Sequence, residues 1–142
     1  MNVAKSGGIL VLFWLIFIVT SSLVAQNFRP ETVPDPKTNG GGYVSDPNNM
    51  LGQDFVDRIN RTLAALEDST SVQVAVVCLK DIDAEFTPKT FATDLLNLWG
   101  VGKKNDNGVV MLIVLDQRRT EVETGYGIEG VLPDVLVSQL LE

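Results

Sequence analysis

Two nearly uninterrupted apolar runs, Val72–Leu79 and Val109–Leu115, constrain the fold more than any other feature of this 142-residue chain. Apolar runs of this length that are rich in β-branched residues are typical of strands covered on both faces. The segment between them begins with the helix-capping pair Thr87-Pro88 and continues with apolar residues at helical spacing up to Gly100. Because a helical crossover joins the two buried strands, we predict parallel pairing and an α/β fold.

The elements on either side of this unit follow from their own periodicity. Apolar residues spaced by three and four predict a helix from about 50 to 67, with Asn48 or Asn49 as its cap. Residues 120–124 alternate polar and apolar side chains and follow the second buried strand closely. Such close spacing predicts an antiparallel hairpin, so the sheet is expected to be mixed but mostly parallel.

The chain divides into three segments by composition. Residues 1–25 carry an apolar core and small polar residues, which predict either a signal peptide cleaved after Ala25 or an uncleaved membrane anchor. Residues 26–42 contain three prolines and three consecutive glycines, which favour a flexible linker. Residues 43–142 form the predicted domain, and the chain ends inside a third predicted helix that begins at Pro133. We therefore expect the domain to be C-terminally incomplete.

Composition excludes several classes of function. The formal net charge is −7, which argues against binding to nucleic acid and against unaided binding to anionic lipid. Such a charge suits cation binding or plain solubility, and a solvated acidic surface accounts for most of these side chains. There is no histidine, so Ser-His-Asp and Cys-His catalysis and histidine zinc sites are excluded within these residues. Cys78 is the only cysteine and lies in an apolar run, which indicates a buried, inert thiol.

Two glycine-rich segments look like nucleotide-binding loops but lack the required context. Residues 125–130 match G-x-G-x-x-G, yet they follow a hairpin strand rather than a first parallel strand, and Glu129 would repel a pyrophosphate. Residues 100–104 lack the glycine spacing and the Ser or Thr of a phosphate-binding loop, and an EF-hand alignment puts Lys103 at its first acidic position. We therefore predict no nucleotide as a ligand.

Four acidic residues are candidate metal ligands: Asp46, Asp106, Glu129 and Asp134. They lie on predicted loops, and some of them are expected to converge at one end of the sheet. Oxygen ligands without histidine or thiol favour Ca²⁺ or, as a second choice, Mg²⁺. Structural roles remain an alternative, with Asp134 at a helix N-terminus and Asp106 in an Asx turn.

Several motifs in this order resemble the TPM domain family. They are Tyr43-Val44-x-Asp46, W-G-x-G at 99–102, D-N-G-V at 106–109, and G-Y-G-x-E-G-x-L-x-D at 125–134. That family is named after a thylakoid-lumen protein, a photosystem-II-associated protein and a nematode receptor-accessory protein. The resemblance covers residues 43–142.

The resemblance implies a three-layer α/β/α sandwich, export across the cytoplasmic membrane and, in many bacterial members, a membrane segment after the domain. It also implies a divalent-cation site in an acidic cleft, to which the four candidate acids would belong. Two functions stay open. The first is a non-enzymatic periplasmic or membrane-tethered module that binds Ca²⁺ and assists assembly or repair of a membrane protein complex. The second is a metal-assisted acid phosphatase that acts on phosphomonoesters.

Overall fold

A computed structural model of the chain describes residues 27–128 as an open four-stranded sheet with two α-helices and a short 3₁₀ turn at Pro30–Thr32. The strand order is β1-β2-β3-β4. In chain order the elements are β1 Val44–Ser45, α1 Gln53–Thr70, β2 Gln73–Leu79, α2 Pro88–Trp99, β3 Gly108–Val114 and β4 Arg119–Thr124. The predicted third helix, with Glu129 and Asp134, lies outside the described residues, as do residues 1–25.

The strand pairing confirms the predicted α/β fold with a mixed, mostly parallel sheet. Strand β2 pairs in parallel with β1 and with β3, and Val77 lies between Ser45 and Leu112 in the register. Strands β3 and β4 form the predicted antiparallel hairpin, in which Met111 pairs with Val122. The helical crossover between β2 and β3 therefore fixes the direction of both strands, as their apolar runs required.

Helix α2 begins and ends where the sequence predicted. The Thr87 side chain caps it by accepting a hydrogen bond from the backbone N–H of Thr90, with Pro88 in the first turn. Gly100 ends the helix with a left-handed φ of 61°. The buried side chains of α2, Phe91, Ala92 and Leu95, then cover one face of the sheet.

Helix α1 begins three residues later than predicted, and the asparagine cap was wrong. Gly52 occupies the N-cap position, while the Asn48 side chain accepts a hydrogen bond from the backbone N–H of Lys80. The helix starts late because the carboxylate of Asp46 accepts hydrogen bonds from the backbone N–H groups four and five residues further along the chain, at Met50 (2.9 Å) and Leu51 (2.7 Å). These bonds hold the segment in a turn, so the helix starts only after it.

Residues 28–33, here called the N-terminal strap, pack against the domain, in contrast to the flexible linker predicted over 26–42. Phe28 is 4% exposed and forms a parallel bridge with Ile82. Val33 is also buried, and Arg29 donates a 2.7 Å hydrogen bond to Glu85 and lies over the Phe86 ring. Pro30 begins the 3₁₀ turn of the strap, and this part of the segment therefore packs as a cover of the domain rather than as a spacer.

The two faces of the sheet are covered by different elements. The strap and α2 share one apolar cluster with the inward side chains of β2 and β3, among them Val77, Leu79 and Leu112. Helix α1 contacts β1 and β2 from the other side and has no fully buried residue. Within residues 27–128, no helix is long and apolar enough to cross a membrane.

Candidate functional site

Three glycine-containing motifs meet at the edge of the sheet where β3 begins. A Cβ atom on Gly108 would overlap the carbonyl group of Val101, and one on Gly102 would overlap the backbone of Gly108. In the same way, Cβ atoms on Gly125 and Gly127 would collide with the carbonyl oxygen of Asp106. Only glycine fits these contacts, because backbone lies directly against backbone. We call this arrangement the glycine junction.

Backbone hydrogen bonds hold the glycine junction together. The N–H of Gly125 donates to the carbonyl oxygen of Gly108 at 2.8 Å, and the N–H of Gly127 donates to that of Asp106, also at 2.8 Å. The N–H of Asn107 donates to Gly102 at 3.2 Å. The loop that carries Asp106 is thus fixed to the loop that leads into Glu129. The G-Y-G motif therefore has a structural explanation that requires no nucleotide.

Gln73 supports the glycine junction from the start of β2, although it is not among the site residues predicted from the sequence. Its side-chain oxygen accepts a hydrogen bond from the N–H of Gly102 at 2.8 Å, while its side-chain nitrogen donates to Glu67 at 2.8 Å. Its backbone N–H donates to the carbonyl of Asn107. A polar residue at the head of an apolar strand was the available signal for this role.

Asp106 lies at the rim of a cleft of about 330 Å³ between α2 and the glycine junction. It has a left-handed φ of 52° and an exposed side chain. Within the described part of the chain, no hydrogen bond engages its carboxylate, so the Asx-turn alternative finds no support there. The cleft is lined by Thr93, Leu96, Asn97, Gly100, Val101, Lys103, Asp106, Glu123, Thr124, Gly125 and Tyr126.

The second acid of this cleft, Glu123, is already paired. Lys89 on α2 donates to it at 2.5 Å, and its side chain is only 17% exposed. The cleft also contains Lys103 and the largely exposed ring of Tyr126. Among residues 27–128, the cleft therefore offers one carboxylate without a hydrogen-bond partner, that of Asp106, beside the cationic Lys103 and together with hydroxyl and amide oxygens.

Asp46 lies at the opposite end of the sheet from Asp106. It follows Ser45, which pairs with Val77 near the end of β2, whereas Asp106 precedes Gly108, the first residue of β3. The level of Ser45 lies four strand residues beyond the level of Gly108, because Val77 follows Gln73 by four positions, which is roughly 13 Å, and both acids lie outside that span. The structure therefore does not bring these two acids together, and Asp46 instead stabilises the turn before α1.

No group of three or more acidic or cysteine side chains lies close enough to hold a metal ion among residues 27–128. Glu129 and Asp134, the other two candidate ligands, are beyond that range. Cys78 is 1% exposed, and burial raises the pKa of its thiol, with a smaller contribution from the charge of Asp46. A buried, protonated thiol is a poor nucleophile, which agrees with the inert role predicted for it.

An electrostatic cluster joins α1, β1 and β2 beside the junction. The hydrogen bond from Lys37 (2.9 Å) lowers the pKa of Glu67, and hydrogen bonds with Tyr43 and Gln73 act in the same direction. Burial raises the pKa of Tyr43 to about 12, and its hydrogen bond with Glu67 adds to that increase. Glu67 is therefore an ionised anchor for Gln73 rather than a free acid.

Comparisons with known proteins give matches to a family and to solved structures. The family described as the TPM domain matches residues 44–142. The solution NMR structure of the N-terminal domain of a protein from P. gingivalis is 37% identical in sequence and superposes with a TM-score of 0.73. That similarity covers 81% of this chain and 74% of the other. No curated protein matches the chain.

Proposed function

Because the chain belongs to the TPM domain family, we propose that it is an exported domain that binds Ca²⁺ at the glycine junction and assists assembly or repair of a membrane protein complex. The observation that carries the proposal is the hydrogen bond from the N–H of Gly127 to the carbonyl of Asp106. It fixes the loop of one candidate acid to a point two residues before the next, Glu129.

The proposed ligands are the carboxylates of Asp106, Glu129 and Asp134. Of the three, the described residues supply Asp106, whose carboxylate is exposed and has no partner there. Ca²⁺ takes six to eight oxygen ligands in flexible geometry and accepts backbone carbonyls and water, whereas Mg²⁺ demands a stricter octahedron. A site at the junction of two loops suits Ca²⁺ better for that reason. Asp46 is left out of the proposed set because it lies at the other end of the sheet.

Calcium calorimetry on the chain and on single-acid variants tests the site. We expect Asp106→Ala, Glu129→Ala and Asp134→Ala each to weaken Ca²⁺ binding by roughly tenfold or more, since each removes a charged ligand. Asp46→Asn serves as the matched control and should bind Ca²⁺ like the unchanged chain. Absence of Ca²⁺ binding, or equal affinity in all four variants, would show that the site is wrong.

Export and complex assembly are supported by the predicted signal or anchor in residues 1–25 and by the family resemblance. Fractionation of cells that produce the tagged chain tests export, since the chain should be recovered outside the cytoplasm. For assembly, native gels of membrane complexes from cells lacking the chain should show accumulated subassemblies. Restoration by the unchanged chain but not by Asp106→Ala would connect assembly to the cation site, and unaltered complexes would contradict the assembly role.

A second candidate function, a metal-assisted phosphatase, is favoured by the cleft beside Asp106. Lys103 lines that cleft and offers a positive charge for a phosphoryl group. In such a reaction a carboxylate takes a proton from water, the water oxygen bonds to phosphorus as the ester P–O bond breaks, and the leaving alcohol oxygen takes up the proton that the carboxylate received. The bound cation would supply charge stabilisation to the phosphoryl oxygens.

Turnover of p-nitrophenyl phosphate separates the two functions. A phosphatase should show metal-dependent release of p-nitrophenol, which Asp134→Asn should abolish and Lys103→Ala should weaken through a higher KM. Calcium binding without turnover between pH 4 and 8 would leave the non-enzymatic function and contradict the phosphatase.

A further inference from the structure

One residue holds both ends of the loop that carries Asp106. The side-chain oxygen of Gln73 accepts a hydrogen bond from the N–H of Gly102 at 2.8 Å, and its backbone N–H donates to the carbonyl oxygen of Asn107 at 3.2 Å. The loop over residues 102–107, here called the Asp106 loop, is therefore tied at its first and last residue to the head of β2.

Gly102 passes this restraint on to the rest of the Asp106 loop. Its carbonyl oxygen accepts hydrogen bonds from the N–H groups of Asn105 at 3.1 Å and Asn107 at 3.2 Å. Asp106 itself has a φ of 52°, a backbone conformation that is uncommon for residues other than glycine. A displacement of buried Gly102 would therefore move the loop and change the direction of the Asp106 side chain.

The Gln73 amide can serve this purpose in only one of its two orientations. A side-chain amide has an acceptor end and a donor end, and the donor end of Gln73 faces an oxygen of Glu67 at 2.8 Å. The reversed amide would set its NH₂ group against the N–H of Gly102 and its oxygen against the carboxylate. The ionised Glu67 therefore selects the orientation that accepts from Gly102.

Glu67 is held in place by further donors. Its second carboxylate oxygen accepts a 2.9 Å hydrogen bond from Lys37, and it is also hydrogen-bonded to Tyr43. The Lys37 ammonium lies 4.6 Å from the centre of the Tyr43 ring. The carboxylate thus serves three donor side chains, including Gln73. A neutral amide at position 67 has a single acceptor oxygen and would turn its NH₂ group toward one of these donors.

We propose that Gln73 and Glu67 are positioning residues of the cation site: the charge of Glu67 orients the Gln73 amide, and that amide holds the Asp106 loop in the shape that binds Ca²⁺. The inference rests on the proposed function, since it takes Asp106 as a ligand at the glycine junction. Neither positioning residue is itself a proposed ligand. Loss of a group that orients metal ligands typically lowers metal affinity by about tenfold or more.

Calcium calorimetry on a charge-swapped pair tests the proposal. We expect Gln73→Met and Glu67→Gln each to weaken Ca²⁺ binding by about tenfold. The double variant Glu67→Gln/Gln73→Glu should recover most of that loss. Its new carboxylate at position 73 can accept from Gly102 and from the new amide at position 67, whose oxygen still accepts from Lys37.

Asp68→Asn is the matched control for charge. It removes the same charge from the next residue of α1, where the side chain is exposed, and should leave Ca²⁺ affinity unchanged. Amide exchange at Gly102, measured by NMR without calcium, reports on the loop itself. It should become about fivefold faster or more in Gln73→Met and Glu67→Gln, as expected for one lost hydrogen bond, and slow down again in the swapped pair. If Gln73→Met does not fold, Glu67→Gln and the swapped pair carry the comparison.

The outcomes separate this proposal from the proposed function. Absence of Ca²⁺ binding by the unchanged chain would contradict the cation site, and the positioning role with it. Ca²⁺ binding that Gln73→Met and Glu67→Gln leave unaltered would contradict the positioning role alone. The same holds for a swapped pair no better than Glu67→Gln, for an equal loss in Asp68→Asn, and for weaker binding without faster exchange at Gly102.

Discussion

Gly125 and Gly127 lie where the backbone of the Asp106 loop leaves no room for a side chain. This steric demand gives the G-Y-G motif a structural role at the glycine junction. The same argument applies to Gly102 and Gly108, which press against each other at the start of β3. At the residue scale, the fold therefore depends on glycine at positions that have no room for a side chain, as well as on buried apolar side chains.

Gly125→Ala should destabilise the domain by about 2 kcal/mol, because its Cβ would force the Asp106 carbonyl to move. Tyr126→Ala is the neighbouring control, and we expect a change within about 0.5 kcal/mol since that side chain is 81% exposed. Urea unfolding of both variants gives the two free energies. Equal stability of the two variants would contradict the tight contact.

Gln73→Ala should cost about 1–2 kcal/mol, because it leaves the N–H of Gly102 without its side-chain acceptor and removes the donor to Glu67. Gln117→Ala is a matched control, since that side chain donates a single hydrogen bond to Asp81 at an exposed turn. Denaturant midpoints compare the pair. A loss as large in the control would show that Gln73 has no special role.

Glu67 should make stability depend on acidity below neutral pH. Its pKa is lowered in the folded state, chiefly by Lys37, so the unfolded chain binds protons more readily. The stabilisation is therefore present above about pH 4.5, the ordinary pKa, and is lost as the pH falls through the lower folded pKa. Urea midpoints from pH 7 to pH 3 should fall less steeply for Glu67→Gln, and parallel curves would exclude this contribution.

At the scale of elements, the strap shows how a segment read as a linker becomes part of the core. The bridge between Phe28 and Ile82 adds backbone pairing beside the end of β2, and Arg29 secures it through Glu85. Phe28 and Val33 are then buried in the cluster shared with α2. The strap thus adds to the cover that α2 provides on that face of the sheet.

Phe28→Ala should destabilise the domain by about 3–4 kcal/mol, as expected for a buried phenylalanine. Phe55→Ala is the same substitution on α1, where the ring is 42% exposed, and should cost about 1 kcal/mol. Thermal unfolding of both variants checks the contrast. A smaller effect at Phe28 than at Phe55 would mean that the strap is not an integral part of the domain.

The sequence predicted the parts of the fold that repeat and missed those that depend on single long-range contacts. The runs around Val77 and Leu112 and the cap at Thr87 were readable, because periodicity and local capping report directly on structure. Phe28 was not, since one aromatic among prolines gives no period. Asp46 and Asp106 lie at opposite ends of the sheet because of the strand register. Assigning both acids to loops from the sequence does not give that register.

At the scale of the whole molecule, the layers on the two sides of the sheet are unequal. Helix α2 buries three side chains in the shared cluster, whereas α1 buries none completely among the described residues. Strand β3 is paired along its length with both β2 and β4. We therefore expect local stability to decrease from β3 to α2 to α1, because buried contacts and continuous strand pairing resist local opening.

Hydrogen exchange should therefore be slowest in β3, intermediate in α2 and fastest in α1. We expect the amides of α1 to exchange at least roughly tenfold faster than those of α2, since fewer buried contacts oppose their opening. NMR exchange at pH 7 gives the rates for each element. Slower exchange in α1 than in α2 would contradict the unequal layers.

The strap also sets how far the domain can travel from a bilayer. In a chain that keeps residues 1–25 as an anchor, only Gln26 and Asn27 separate that anchor from buried Phe28. Such a linker spans about 10 Å at most. A flexible linker over residues 26–42 could instead span up to about 60 Å when fully extended. Phe28 lies at the sheet end opposite the glycine junction. In an anchored domain, Phe28 would then lie next to the membrane, and Asp106 would lie at the end of the sheet that is farther from it. Partners in the aqueous phase could reach Asp106 there.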